Sequence, residues 1–402
     1  MQRKIGAIVA AAVVAAAPHV LLAADAPAPA PALPSLTALL TAWGVDLHGY
    51  VDASYSYLDN SGFFTSGDPD RVFDTEHDSF NLQQAAITID YLPKDGFGGL
   101  VNLTAGRDAR VIASYGEGSN NFDVTQAFAQ YAHGTFTLIG GKFVTLAGAE
   151  TINPTTDTNF SRSILFGFAI PFTHTGVRLT DAVSDKLSLI VGVNNGWDQL
   201  QSEQSQKTIE AGVAFTPNKI FSLSVQGYSG STLVSGASNA SSGVSYGSIV
   251  GRRDLLDAVA TINVSSKLTF IINPDWGDQA QGGPAIVGGG RATATWYGVA
   301  GYANYQVSDQ WAVSVRAESF DDRDGYRTGV AQTWSEGTAD LRYIPNGFFE
   351  VRLEGRYDHT NGSNIVSDSV AYETSLSTYP YNGTAGTENH GYSFAVEGIA
   401  KF

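Results

Sequence analysis

Cysteine is absent from this 402-residue chain and methionine occurs once. No disulfide can staple it, and no stray thiol can mispair if it travels unfolded through an oxidising compartment. Charge is also scarce: 15% of residues are charged, where soluble domains carry about 25%, so much of the surface does not face water. Basic residues are the rarer sign, 23 Lys and Arg against 39 Asp and Glu, for a net charge of −16. A nucleic-acid partner needs a basic face that this balance does not supply. Beyond the N-terminus no apolar run is long enough for a spanning helix, and mean hydropathy lies near zero. A membrane-like composition without spanning helices leaves the closed β-barrel, the other structure whose backbone hydrogen bonds are all satisfied in lipid.

What the chain does have is 44 Gly, 18 Tyr and 21 Phe. It begins with Arg3 and Lys4, an apolar stretch Ile5 to Ala17, and small residues from Ala23 to Ala26. That order predicts an export signal over residues 1–24, the apolar stretch being short for a membrane anchor. Residues 25–45 form a lead-in: alternating Ala and Pro to Pro34 make a stiff spacer, and Ser35 to Trp43 suits one or two amphipathic helical turns.

From His48 onward apolar and polar residues alternate, the pattern of a strand with two unlike faces. Phe349, Val351, Leu353, Gly355 and Tyr357 share one face, and Glu350, Arg352, Glu354 and Arg356 the other. Short turn sequences separate many such runs: Tyr91 to Gly96, Ala132 to Gly134, Ala182 to Lys186, Thr216 to Lys219, Val264 to Lys267, Val307 to Gln310 and Ile344 to Gly347. Long polar connections alternate with them, among them Leu58 to Ser79, Gly230 to Arg253, Gly277 to Arg291 and Asn361 to His390. Short turns on one rim and long loops on the other predict an all-β, antiparallel up-and-down transmembrane barrel of about sixteen strands over 46–402. Tyr55, Tyr57, Tyr91, Tyr131, Trp311, Tyr343, Phe349, Tyr357, Tyr392 and Phe402 fall near strand ends, as two aromatic girdles would. The last strand, Gly391 to Phe402, stops on an aromatic, an ending similar to the signal that barrel-insertion machinery reads.

A barrel of that size leaves an aqueous lumen. The face expected to line it carries Arg178, Arg316, Glu318, Asp340, Arg342, Arg352 and Arg356. The third long connection, Leu146 to Pro171, has fewer glycines and ends in an apolar run from Ile164. It is expected to fold into the lumen and narrow it with Glu150, Asp157 and Arg162; stacking outside on neighbouring loops is the alternative placement.

The same stretch carries a resemblance. Gly141-Lys142-Phe143-Val144-Thr145-Leu146-Ala147-Gly148-Ala149-Glu150, then Asn153-Pro154, Asn159-Phe160-Ser161-Arg162-Ser163 and Pro171-Phe172-Thr173-His174-Thr175-Gly176, resemble the putative β-barrel porin family 2, OmpL-like. His48-Gly49-Tyr50-Val51-Asp52 and Gly192-Val193-Asn194-Asn195-Gly196-Trp197-Asp198 match too. The resemblance implies an outer-membrane porin, a water-filled channel for passive diffusion of small hydrophilic solutes or ions, with no binding residues to carry over. A structural or adhesive barrel with a plugged lumen is the alternative. Expected partners are outer-membrane lipid, the insertion machinery and small solutes, with a homotrimer common at sixteen strands; no cofactor, metal or catalytic group is expected. No histidine lies in a nucleophile motif, and Asp321-Asp322-Arg323-Asp324 lacks the spacing and glycine of a calcium loop.

Overall fold

The structure is a computed structural model. It describes residues 35–59, 71–76, 78–115, 117, 120–202, 205–234, 238–239, 244–245, 249–284, 290–329, 331–362 and 389–402. The expected signal, the Ala/Pro spacer and most of the last long connection lie outside the described residues.

Ahead of the barrel unit, α1 spans Leu36–Trp43. The unit from Gly44 to Phe402 is a closed antiparallel barrel of sixteen strands. They are β1 Asp46–Leu58, β2 Ser79–Tyr91, β3 Gly96–Ala105, β4 Phe122–His133, β5 Phe136–Val144, β6 Thr173–Ser184, β7 Leu187–Asn194 and β8 Thr208–Phe215. The second half comprises β9 Phe221–Val234, β10 Ile249–Asn263, β11 Leu268–Gln279, β12 Ala294–Gln306, β13 Trp311–Asp322, β14 Gln332–Asn346, β15 Phe349–Thr360 and β16 His390–Lys401. Each strand pairs with its neighbours in sequence, and β16 closes the ring on β1. The closure ends on a reciprocal backbone pair: Gly49 N–H donates to the Phe402 carbonyl at 2.8 Å, and Phe402 N–H to the Gly49 carbonyl at 2.9 Å.

Alternation decides which side faces lipid. In β15 the Glu350, Arg352, Glu354 and Arg356 side chains are buried, whereas Phe349, Leu353 and Tyr357 are exposed on the outer wall. The outer wall carries Val, Ile, Leu and aromatic side chains, which suit a pleated surface against hydrocarbon. Ring pairs sit toward both rims: Phe97 with Tyr131 and Trp311 with Tyr343 by the short turns, Tyr55 with Phe80 and Tyr357 with Tyr392 by the long loops.

Several boundaries differ from the sequence expectation. The Ile344 to Gly347 turn moves on to Gly347 and Phe348, because β14 runs to Asn346 through a bulge after Tyr343. β9 and β10 extend into the Gly- and Ser-rich connection, to Val234 and from Ile249, and β11 runs to Gln279. Backbone pairing needs no apolar alternation, so such segments form strands that the pattern hides.

Candidate functional site

L3, the connection from Thr145 to Phe172 between β5 and β6, enters the lumen. β5 and β13 stand eight places apart in a ring of sixteen, half its circumference. L3 nevertheless bonds to β13, so it crosses the whole interior.

Local chemistry shapes the loop. Gly148 turns the chain at φ +90°, which other residues rarely adopt, and a Cβ there would meet the Ile170 side chain at 2.6 Å. The Asn153 side chain accepts from Thr155 N–H at 2.9 Å and starts a short 3₁₀ turn, Pro154–Thr156, with proline where its missing N–H costs nothing. A wide helical turn then buries Leu165–Ala169.

The far wall holds this loop by its backbone. Glu318 accepts from the N–H groups of Ile164 at 2.6 Å and Leu165 at 3.0 Å. Glu354 accepts from Phe160 at 2.9 Å and Ser161 at 3.1 Å. Arg352 donates to the carbonyls of Asn159, Pro154 and Asp157 at 3.1, 2.9 and 2.9 Å, and Arg356 to that of Arg162 at 2.8 Å. Arg316 bridges Glu150 of L3 and Glu336 of β14, both at 2.7 Å, and donates to the Ser161 carbonyl at 2.6 Å. Charge-assisted bonds of this kind are about twice as strong as neutral ones. On the near wall, Gln84 donates to the Ile152 carbonyl at 2.9 Å. A bulge where β1 meets β2 turns both Gln83 and Gln84 inward to allow it.

Register explains why the wall needs the loop. Glu318 lies opposite Glu336, Asp340 opposite Glu354, and Arg342 opposite Arg352. Like charges directly across a ladder repel. Glu350 relieves the arginine pair by bonding Arg342 at 2.7 Å and Arg352 at 2.8 Å. The backbone N–H groups of L3 do the same for Glu318 and Glu354. Asp340 is buried, and neither of its carboxylate oxygens has a hydrogen-bond partner among the described residues.

The sequence-expected residues therefore fall into place unevenly. Glu150, Asp157, Arg162, Arg316, Glu318, Arg352 and Arg356 meet in one contact between loop and wall, all at most 7% exposed. Arg162 pairs with Asp157 at 3.0 Å within L3. Arg178 stands apart, bonded to Glu210 at 2.8 Å and stacked on Phe143 at 4.3 Å. Arg342 borders the group at the short-turn end.

An apolar plug above this contact escaped the sequence reading. Ile164 to Phe172 pack with Val72 and Phe73 of the first long loop, Val111 and Ile112 of the second, Trp197 of the fourth and Tyr326 of the seventh. Trp296, Phe320 and Trp334 complete it from inside the wall. Phe320 and Trp334 are register partners on the inward face. Their signal was available: large aromatics at positions where the alternation calls for polar side chains. Below L3 a cavity of about 450 Å³ remains against β1 to β5.

A closed sixteen-stranded ring with a polar inner face, and the third loop folded across it, is a porin architecture. The family model for putative beta-barrel porin-2, OmpL-like, matches residues 44–402. The chain belongs to that family. This porin also resembles solved outer-membrane structures. OmpT of Vibrio cholerae in its trimer form is 11% identical over 89% of this chain and 99% of that one, with a TM-score of 0.59. An anion-selective porin from Comamonas acidovorans is 10% identical over 89% and 99%, TM-score 0.58. Pseudomonas putida OprB is 10% identical over 90% and 96%, TM-score 0.57. At such identities the likeness is one of fold. No curated protein matches this porin by sequence. Its place is the outer membrane.

Proposed function

We propose that this porin is a non-enzymatic channel for passive diffusion of small hydrophilic solutes, with L3 as its constriction. Glu150, Asp157 and Arg162 form the loop side, and Arg178, Arg316, Glu318, Asp340, Arg342, Arg352 and Arg356 the wall side. The observation that carries this reading is the crossing of L3 between opposite walls, which narrows the lumen to the space beside the loop and so sets the width of any path. Glu150, Asp157, Arg162, Arg316, Glu318, Arg352 and Arg356 act by holding the loop in position, since their charges are spent on one another and on its backbone. Residues 1–24 direct export, Phe402 ends the strand presented to the insertion machinery, and three copies assemble, as the trimeric Vibrio relative does. Purified protein in a planar lipid bilayer should give stepwise current; a folded barrel that stays silent would overturn the reading.

The apolar plug favours one second reading, a barrel closed in its outer half that acts through its long loops. Silence of the native protein, with current restored on removal of L3, would select it.

A further inference from the structure

We propose that the space beside L3 admits uncharged, hydroxyl-bearing solutes of small-sugar or polyol size in preference to ions of similar size. This rests on the channel reading. The cavity of about 450 Å³ lies between β1 to β5 and L3, within the range that takes a small ligand together with water. Its wall contributes Thr88, Asn102 and Gln126, neutral side chains that donate and accept. Asn102 and Thr88 bond to each other at 2.8 Å, and both remain partly exposed, as does Gln126. From L3, Thr151 and Thr156 present hydroxyls 2.6 Å apart on an exposed edge. Leu146, a third exposed, offers an apolar shelf beside them.

Charge is withdrawn from this space. Among the described residues Glu150 is the one carboxylate on its lining, which also holds the His48 imidazole, and both Glu150 oxygens are engaged: Oε1 by Arg316 at 2.7 Å and Oε2 by the Ser163 N–H at 2.7 Å. The arginines of β13 and β15 point into the loop on the opposite side. An ion entering would give up hydration and find no free counter-charge. A hydroxylated solute would exchange water for threonine, asparagine and glutamine at little cost. The wall and the loop thus separate two tasks, ionic anchoring on one side and neutral passage on the other.

The test is swelling of liposomes carrying the full barrel, with glucose, gluconate and glucosamine as probes of similar size and unlike charge. Glucose should enter about tenfold faster than either ion, the penalty of one poorly compensated charge. Asn102→Asp with Gln126→Glu, checked for native folding by circular dichroism, should raise glucosamine entry and leave gluconate slow. Equal entry of all three solutes, or no response of glucosamine to the two acids, overturns the inference while the channel stands. No entry of any solute, with silent bilayers, overturns the channel reading and the inference with it.

Discussion

Arg316 on β13 and Glu150 in L3 meet at 2.7 Å across 166 residues of chain, inside a barrel lumen. The Arg316 guanidinium is fully buried and holds Glu336 at 2.7 Å as well. Removing one member of such a group leaves its partners as uncompensated buried charges, a loss of about 3–5 kcal/mol.

Arg316→Ala should therefore detach L3 more than it alters charge. Conductance should rise and become noisy, and thermal unfolding in detergent should fall. Glu150→Gln should do the same in part, and the double variant should cost less than the sum of the two, because both act on one contact. Strict additivity would show that the pair does not anchor the loop. Arg162→Ala with Arg316→Ala, which by charge alone would favour cations, should mainly widen the passage, seen as higher conductance with a small shift in reversal potential.

Glu318→Gln and Glu354→Gln keep the size of each side chain but weaken acceptors that serve two backbone N–H groups apiece. Each should cost about 1–3 kcal/mol and expose L3 to trypsin at Arg162. Unchanged protection would place the strength of the contact elsewhere.

Phe168 is buried at the centre of the apolar plug. Phe168→Ala should destabilise by about 3–5 kcal/mol through lost burial and the cavity left behind. Phe168→Leu should cost much less, and the difference between the two is the quantity to measure by chemical unfolding.

Asp108, in the second long loop, accepts from Gln84 at 2.8 Å. Burial pushes its carboxyl up to about 6, against Arg162 and Arg107, which favour the charge, while Asp74 opposes it. Its folded value lies above the unfolded one, so its stabilising contribution is complete below the ordinary carboxylate range and is lost as pH rises through about 6. The fall in melting temperature from pH 4 to pH 7 should be smaller in Asp108→Asn than in the native barrel, by this group's share. An identical pH profile in the variant would exclude the group.

Gly49 lies under the terminal ring and against β2: a Cβ there would stand 2.5 Å from the Ala86 carbonyl oxygen and 2.7 Å from the Phe402 side chain. Gly49→Val should push on both the β2 backbone and Phe402 and lower the yield of folded barrel on refolding into lipid. Deletion of Phe402 should act in the same direction, read by heat-modifiable migration on gels.

The alternation of Phe349 through Tyr357 and its repeats decided strand identity, because lipid outside and water inside impose opposite demands on successive side chains. The turns at Val264 to Lys267 and Val307 to Gln310 were equally plain, since their chemistry is local. Even the inward direction of Arg316, Glu318, Arg352 and Arg356 followed from parity alone. What these charges do was not legible. Parity places Glu318 opposite Glu336 and Asp340 opposite Glu354, arrangements that repel in isolation, and no local rule names the group that relieves Glu318 and Glu354. Trp296, Phe320 and Trp334 broke the pattern without stating why. Both answers lie in L3, which meets its partners more than 100 residues away in sequence. Period and turn chemistry are properties of neighbours along the chain, so the sequence by itself determined the barrel. The pairing of loop with wall depends on closure of the ring, which brings β13 and β15 opposite β5, and only the tertiary structure could decide it.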